Sequence, residues 1–555
     1  MERRRFSSLE RQNTLHAMTA IEFDILIIGG GITGCGIALD AVTRGMKTAL
    51  VEMQDFAGGT SSRSTKLIHG GLRYLKQFEL KLVAEAGRER AVVYENGPHV
   101  TKPVRMLLPI YQGGTYGRLA ASIGLSLYDL LAGVDKVERK SMLTKSDTIE
   151  VEPLLKKDGL IGSGYYVEYV TDDARLTIEV MKEAAARGAM AVNYAKVTEL
   201  LYQQEQAVGI KVLDRLTGKS YDIYAKKIIN ATGPWVDMIR KHDRSLEGKK
   251  MRLTKGAHLV FDYVKFPLKQ AVYFDTEDGR MVFAIPRDGK TYVGTTDTFY
   301  EQDPINPKMT EQDRNYIIDA IHYMFPSVEI TGDDVESSWA GVRPLIYEEG
   351  KNPSEISRKD EIWESKTGLI TIAGGKLTGY RKMAENVVNR TVRSLSNEGC
   401  NDFIACQTRR IPISGGHFGG SNVLDSFIEN NRKKALEVGF TNEQYEKLVN
   451  RYGSNIDRLF QIAENYDPKN EYSLPLEVYA ELVYGMFEEM TMKPVDFFIR
   501  RTGALLFDIA WVYKWKLPVL EYMTDKLKWT EEEKVNYLQE LETQLLDAVQ
   551  PNSEA

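Results

Sequence analysis

The residues with the clearest chemical potential near the start of the chain are three glycines and one acid. The run Phe23-Asp24-Ile25-Leu26-Ile27-Ile28-Gly29-Gly30-Gly31-Ile32-Thr33-Gly34 sets an apolar strand before a glycine turn and a helix, and Glu52 closes the next apolar run. In such a unit Gly29 permits the tight turn, Gly31 lets the backbone approach a pyrophosphate, and Gly34 lets helix and strand pack closely. Phosphates at the helix N-terminus would meet free N–H groups and the positive end of the dipole. Glu52 is placed to accept hydrogen bonds from ribose hydroxyls, and its charge disfavours the extra phosphate of NADP. The spacing implies a unit that binds an adenine dinucleotide.

Other stretches carry polar groups in numbers that a connector does not need. Residues 58–74 read GGTSSRSTKLIHGGLRY, and loops this rich in hydroxyl and basic groups usually line a site. Asn230-Ala231-Thr232-Gly233 ends an apolar strand in small residues, which lets the backbone lie against something flat. Residues 368–381 repeat the order of strand, glycines and helix, with Gly374-Gly375-Lys376-Leu377-Thr378 at the turn. Arg343, read as lying in a short apolar-flanked turn, is the first candidate for an anion, because a guanidinium grips phosphate as a fork. His258 opens a strand, and its unperturbed pKa suits proton transfer near neutral pH. A packing role is the alternative for His258, and His69 in the glycine loop is its rival as base.

Elements must bring these groups together, and 555 residues suggest two to four domains. Alternating patterns at 257–263, 281–286 and 291–296 predict an antiparallel sheet forming a substrate lid. Strands are also expected at 208–214 and 225–230, and a helix at 79–95. Beyond residue 405 the pattern is helical, at 424–438, 441–452, 455–463, 476–490 and 530–548. Residues before Phe23 are expected to form a mobile tail or a short surface helix.

The formal charge of −6 argues against nucleic acid as a partner. Cys35, Cys400 and Cys406 form no CxxC pair, which points to a reducing compartment without a disulfide framework. The seven histidines show no metal-ligand spacing, so no metal is expected. No stretch reaches the roughly 18 to 20 apolar residues that span a bilayer. Segment 119–131 is apolar but too short to cross, and reads as internal packing or as an interfacial helix.

The order of the three glycine-bearing pieces resembles the amino-acid-oxidase-like superfamily of FAD enzymes. Residues 61–75 (SSRSTKLIHGGLRYL), Trp339-Ala340-Gly341-Val342-Arg343-Pro344-Leu345 and Gly374-Gly375-Lys376-Leu377-Thr378, followed by a helical C-terminal domain, are similar to the respiratory FAD-dependent glycerol-3-phosphate dehydrogenases. The resemblance implies an α/β fold. Its Rossmann-like FAD-binding domain would comprise 23–105, 165–250 and 338–400, with an antiparallel-sheet cap domain of 106–164 and 251–337. A tail of 1–22 would precede them and an all-α domain of 405–550 would follow.

The same resemblance implies oxidation of sn-glycerol 3-phosphate to dihydroxyacetone phosphate by hydride transfer to FAD, with electrons passed to a membrane quinone. A glycerol-3-phosphate oxidase using oxygen, another flavoenzyme of the superfamily, and a flavin-binding regulator without turnover are the competing readings. Gly29, Gly31 and Gly34 would line the pyrophosphate and Glu52 the ribose. Ser61, Ser62, Lys66 and Leu67 would run along the flavin and its linker, and Thr232 and Gly233 would lie near the adenosine half. Lys376, behind Gly375, would stabilise negative charge on the reduced ring. Arg73, Tyr74, His258, Arg343, Lys376 and Thr378 would meet substrate, with His258, Arg343 and Lys376 catalytic. FAD is expected to be non-covalent, His69 being the alternative tether. A quinone acceptor implies a cytoplasmic protein in peripheral contact with the inner face of the membrane. Segment 119–131 and the tail of Arg3, Arg4 and Arg5 are the candidate contacts, and the C-terminal helices are candidates for homodimerisation.

Overall fold

The computed structural model describes residues 6–69, 80–114, 139–347, 359–400 and 402–552, with residues 124, 125 and 127. Arg3, Arg4, Arg5, Arg73, Tyr74 and most of segment 119–131 lie outside the described residues.

Two sheets and a helical region organise the chain. In the first sheet Glu22–Ile28 runs parallel to Thr48–Val51 on one side and to Ser220–Asn230 on the other, and Ile370–Ala373 and Met190–Val192 extend it in parallel. Successive side chains of a strand point to opposite faces. Accordingly Ile25 and Ile27 join one core, while Leu26 and Ile28 join another. The first core lies beneath the helices Ile32–Thr43, Asp173–Ala186 and Tyr380–Asn397. The second lies beneath the hairpin of Ala195–Gln203 and Gln206–Asp214. Parallel strands need both faces covered, which explains their near-continuous apolar sequence.

Of the two arrangements expected for the residues before Phe23, the structure shows the short helix, and one of its faces is buried. Arg11–Met18 is a helix whose Arg11, Leu15 and Met18 are buried, a spacing of i, i+4 and i+7 that makes one face. Arg11 donates to Asp214 at 2.8 Å and to the Asn193 carbonyl, so a charge as well as a stripe docks this helix.

The second sheet carries ten strands among the described residues. Met251–Asp262 lies next to one edge of it, antiparallel to the edge strand Val335–Ile346 on one side and to Lys290–Gly294 on the other. The expected lid strands are therefore present and antiparallel. Thr101–Tyr111 and Leu160–Thr171 also belong to this sheet. The expected domain breaks at 105, 165 and 338 thus fall inside strands of the second sheet.

Beyond residue 420 come the helices Leu424–Glu437, Asn442–Tyr452, Ile456–Ala463, Leu476–Glu488, Ile509–Leu527 and Glu531–Val549. Thr441 with Gln444, and Thr530 with Glu533, form reciprocal capping boxes that start two of them, a local signal that sequence displays directly. Ile509–Leu527 is not among the expected helices, and it continues through Pro518, a residue that normally kinks or breaks a helix.

Buried charges join this helical region to the first sheet. Asp55 accepts hydrogen bonds from Arg500 at 2.5 Å and Arg501 at 2.7 Å. Glu489 accepts from Arg175 at 2.7 and 2.8 Å and from Lys182 at 3.2 Å. Burial alone would raise both carboxyl pKa values, but Arg501 and Arg500 hold Asp55 at about 2, and Arg175 and Lys182 hold Glu489 at about 2. A few residues further along, Lys66 meets Asp173 at 2.6 Å, and the backbone and hydroxyl of Ser64 use the same carboxylate. Residues 55–66 are therefore held at both ends by ion pairs withdrawn from water.

Removing one partner of such a pair leaves an uncompensated buried charge, at a cost of about 3–5 kcal/mol. Arg501→Ala should lower the unfolding free energy by about that amount in denaturant titration. The folded pKa values of Asp55 and Glu489 lie below their ordinary values of 3.8 and 4.5. Their contribution is therefore complete above pH about 4.5 and is lost as pH falls towards 2. Wild-type stability should decline over that window, and the decline should be shallower in Arg501→Ala; an equal slope would place the acid-sensitive charges elsewhere.

Candidate active site

A cleft with an empty volume of about 1160 Å³ opens where Ile28, Val51, Ala231 and Gly374 end or follow the parallel strands. That position, outside the carboxyl ends of the sheet, is where open α/β sheets bind ligands. The three motif glycines answer different demands. Gly29 has φ +113°, and a side chain there would meet the Ala231 carbonyl oxygen at 2.6 Å. At Gly34 a Cβ would be driven into the Gly29 carbonyl. Gly31 has an ordinary φ of −77°, and a Cβ there would meet only the Ser61 hydroxyl, at 3.1 Å. The protein itself barely requires glycine at 31, so the open space suits a ligand.

Gly31, Ile32 and Thr33 present the N-terminus of Ile32–Thr43 to the cleft, and the first N–H groups of a helix have no partner within it. Ser61 Oγ accepts from the Ile32 N–H at 2.9 Å. Glu52 accepts from the backbone N–H groups of Gly30 at 2.6 Å and Gln54 at 2.7 Å. Burial raises its pKa while those two hydrogen bonds oppose the rise. Each carboxylate oxygen keeps a further lone pair, as hydrogen bonding to ribose hydroxyls requires. The acid, the glycine cradle and the helix terminus together fit an FAD pyrophosphate and ribose.

Thr232 and Gly233 line the same cleft, joined by Trp235. Thr60, Ser61, Pro344, Gly375 and Lys376 line it as well. Four expected cofactor residues do not line it: Gly34, which packs against the Gly29 carbonyl, and three residues of the polar loop. Lys66 is engaged by Asp173, the Ser62 hydroxyl is buried, and Leu67 belongs to the short strand Leu67–Ile68. The Thr378 hydroxyl donates to the His69 carbonyl at 3.0 Å and accepts from its N–H at 3.1 Å. It thus ties the glycine loop to the turn that starts the helix Tyr380–Asn397.

The second sheet brings Arg343 and His258 to one face. Arg343 lies within the strand Val335–Ile346 rather than in the expected turn. Its guanidinium lies over Gly256, where a Cβ would collide with it. It donates to Thr295 Oγ1 at 3.0 Å and to Asp297 at 3.2 Å. His258 follows Gly256 by two residues and so shares its face. Its ring lies over Gly294, where again a Cβ would collide, and stacks on Trp339 with centroids 4.6 Å apart and planes at 9°. His258 Nε2 is 3.0 Å from Thr65 Oγ1. Burial, then the charges of Arg343 and Lys66, push its pKa well below 6.5, so the imidazole is neutral at pH 7 and has a nitrogen lone pair for a proton.

Residues 60–66 lie between cleft and sheet face. Thr60 donates to the Val342 carbonyl at 2.6 Å, and Trp339 Nε1 donates to the Ser64 carbonyl at 3.1 Å. This loop therefore touches the helix N-terminus through Ser61 and the imidazole through Thr65. Thr65, Trp235, Thr295 and Asp297 were not among the expected site residues. A signal for two of them was present in Gly294-Thr295-Thr296-Asp297, a small polar run at a strand end of the kind that carries function.

The fold and its cleft define a flavin-dependent oxidoreductase: residues 24–381 match the FAD dependent oxidoreductase family, to which the chain belongs, and residues 406–534 match the C-terminal domain of alpha-glycerophosphate oxidase. Within that class it is a member of the aerobic glycerol-3-phosphate dehydrogenases. It is 60% identical to the enzyme of that name from Bacillus subtilis (strain 168), across 99% of this chain and 100% of the relative. It is 56% identical to that of Staphylococcus aureus (strain USA300), across 99% of each. The solved glycerol-3-phosphate dehydrogenase of Bacillus halodurans, complexed with FAD, superposes with a TM-score of 0.86 at 48% identity, over 99% of this chain and 100% of that one.

The contrast between the motif glycines is testable. Gly31→Ala should leave a folded protein with little bound flavin, because its methyl group takes ligand space. Gly34→Ala should lower the melting temperature, with or without added FAD, because its Cβ meets backbone. Flavin absorbance and thermal melts report the two effects, and equal flavin retention in wild type and Gly31→Ala would refute this assignment.

Proposed function

We propose that this enzyme oxidises sn-glycerol 3-phosphate to dihydroxyacetone phosphate between the Lys376 end of the cleft and the sheet face bearing His258 and Arg343, and that its electrons pass to a membrane quinone. The observation that carries this reading is the convergence of a fork-shaped cation and a neutral imidazole on one face, each given room by a glycine. Gly29, Gly31, Glu52, Ser61, Thr232, Gly233 and Gly375 hold the cofactor, while Gly34 lets the helix behind the glycine turn pack against its strand. FAD, when bound, supplies the hydride acceptor.

Arg343 binds the phosphate as a fork, and Arg73 and Tyr74 join it on the strength of the family motif. His258 accepts the hydroxyl proton as the alcohol becomes a ketone. Lys376, at the N-cap of the turn Leu377–Gly379, would supply positive charge to a bound flavin and so favour its reduced form. Ser62, Lys66 and Leu67 act from behind, by shaping the loop that carries Ser61 and Thr65. Among the described residues no helix is long and apolar enough to cross a membrane, so a bilayer-dissolved acceptor is reached by peripheral contact at the inner face.

Anaerobic addition of glycerol 3-phosphate to the purified holoenzyme should bleach its visible absorbance, and a quinone analogue should restore it. High peroxide yield in air, with no response to the analogue, would favour oxygen as acceptor instead. Arg343→Gln should lower kcat/KM by about 100-fold, roughly 3 kcal/mol, as expected for an unpaired ligand charge. His258→Ala should slow bleaching by about 10²- to 10⁴-fold, and near-normal bleaching would remove His258 from the mechanism. Because its pKa is depressed, His258 stays deprotonated as pH falls through 6.5. The wild-type bleaching rate should therefore hold through that pH and fall only at lower values.

A further inference from the structure

We propose that Asp297 is the resting counter-ion of Arg343, and that by competing for the guanidinium it sets how tightly the site holds a phosphate-bearing ligand. This rests on the reading of Arg343 as the phosphate-binding residue. Asp297 Oδ1 lies 3.2 Å from Nη1, and Thr295 Oγ1 accepts from Nη2 at 3.0 Å. The two terminal nitrogens that would form a fork around a phosphate thus already face one anionic and one neutral acceptor. A phosphate entering there must share or displace the carboxylate, and it meets a like charge in a partly desolvated setting. The Arg343 side chain is 21% exposed and that of Asp297 12%.

The carboxylate has little freedom to withdraw. Its neighbour Thr296 accepts from the Ala257 N–H at 3.0 Å and donates to Asp313 at 3.0 Å. Asp313 is itself buried, paired with Lys255 at 2.6 Å, and closes the capping box of the helix Glu311–Met324. A chain of buried polar contacts therefore pins the strand-end loop from below and holds Asp297 against the guanidinium. An acid used only to orient Arg343 would duplicate what Thr295 and the carbonyl of Thr296, 3.4 Å from Nη1, already provide without charge.

The consequence for catalysis follows from a symmetry between substrate and product. Both carry the same phosphate, so attraction at Arg343 holds both equally and does not speed the chemical step. A fixed competing carboxylate weakens both and hastens product departure. Asp297 is therefore a device for release, and Arg343 one for capture.

The test uses FAD-loaded wild type, Asp297→Asn, Asp297→Ser and Arg343→Gln, with inorganic phosphate as the binding probe and glycerol 3-phosphate as substrate. Retained flavin absorbance establishes that each variant is folded. Both Asp297 variants should bind phosphate about tenfold tighter, as expected for removing a like charge at a few ångströms. They should also show a lower KM and a lower kcat, the split that slow product release produces. Unchanged or weaker phosphate binding in both variants, while Arg343→Gln abolishes it, would overturn the proposal and leave the reading of Arg343 intact. Unchanged phosphate binding in Arg343→Gln would overturn that reading, and the proposal with it.

Discussion

Charges withdrawn from water have to find partners, and in this protein the partners of one short loop come from distant parts of the chain. Asp55 meets Arg500 and Arg501, supplied by the C-terminal region, and Lys66 meets Asp173 from a helix packed on the first sheet. A buried pair of this kind is not strong evidence of net stability, because desolvation offsets much of the attraction, yet breaking it is costly. What it secures is position. Between its anchored ends the loop turns Ser61 towards a helix N-terminus and Thr65 towards an imidazole. The helical region is therefore not an appendage to the flavin-binding part, since it supplies two of the three guanidinium or ammonium groups that hold this loop.

Glycine acts as the complementary device, because it makes room where charge makes attachment. Gly34 clears space for backbone, Gly31 for a ligand, and Gly256 and Gly294 for the side chains of Arg343 and His258. The last two are the least obvious. They sit in strands of the second sheet, where glycine weakens local preference, and each lets a functional group lie flat on the sheet. The reaction face thus lies on the second sheet, against the loop of residues 60–66 that leads from the first sheet into the second.

Much of this arrangement was legible from local patterns. The glycine turn with Glu52 identified the dinucleotide unit, because strand, turn and acid are close in sequence and their geometry follows from spacing. Capping boxes at Thr441 and Thr530 marked helix starts for the same reason. Reading failed where local rules met tertiary override. The helix Ile509–Leu527 was missed although packing sustains it through Pro518, Arg343 was read as a turn residue although its strand is paired along its length, and Arg11–Met18, read as a mobile tail or a short surface helix, is a helix docked through Arg11 on Asp214.

Sequence by itself thus determined the class of ligand, the two kinds of sheet, the helical C-terminal region and the candidates Arg343, His258 and Lys376. Tertiary structure alone decided which groups meet. It engaged Lys66 with Asp173 instead of the cleft, set Thr65 on His258, and placed Asp297 against Arg343. The physical reason is one of range. Strand and helix periods and turn chemistry act over a few residues and leave their mark in spacing, whereas Coulomb attraction and hydrogen bonding select partners by distance in space. No spacing in the chain records that residues 55 and 501 will form a buried, hydrogen-bonded ion pair.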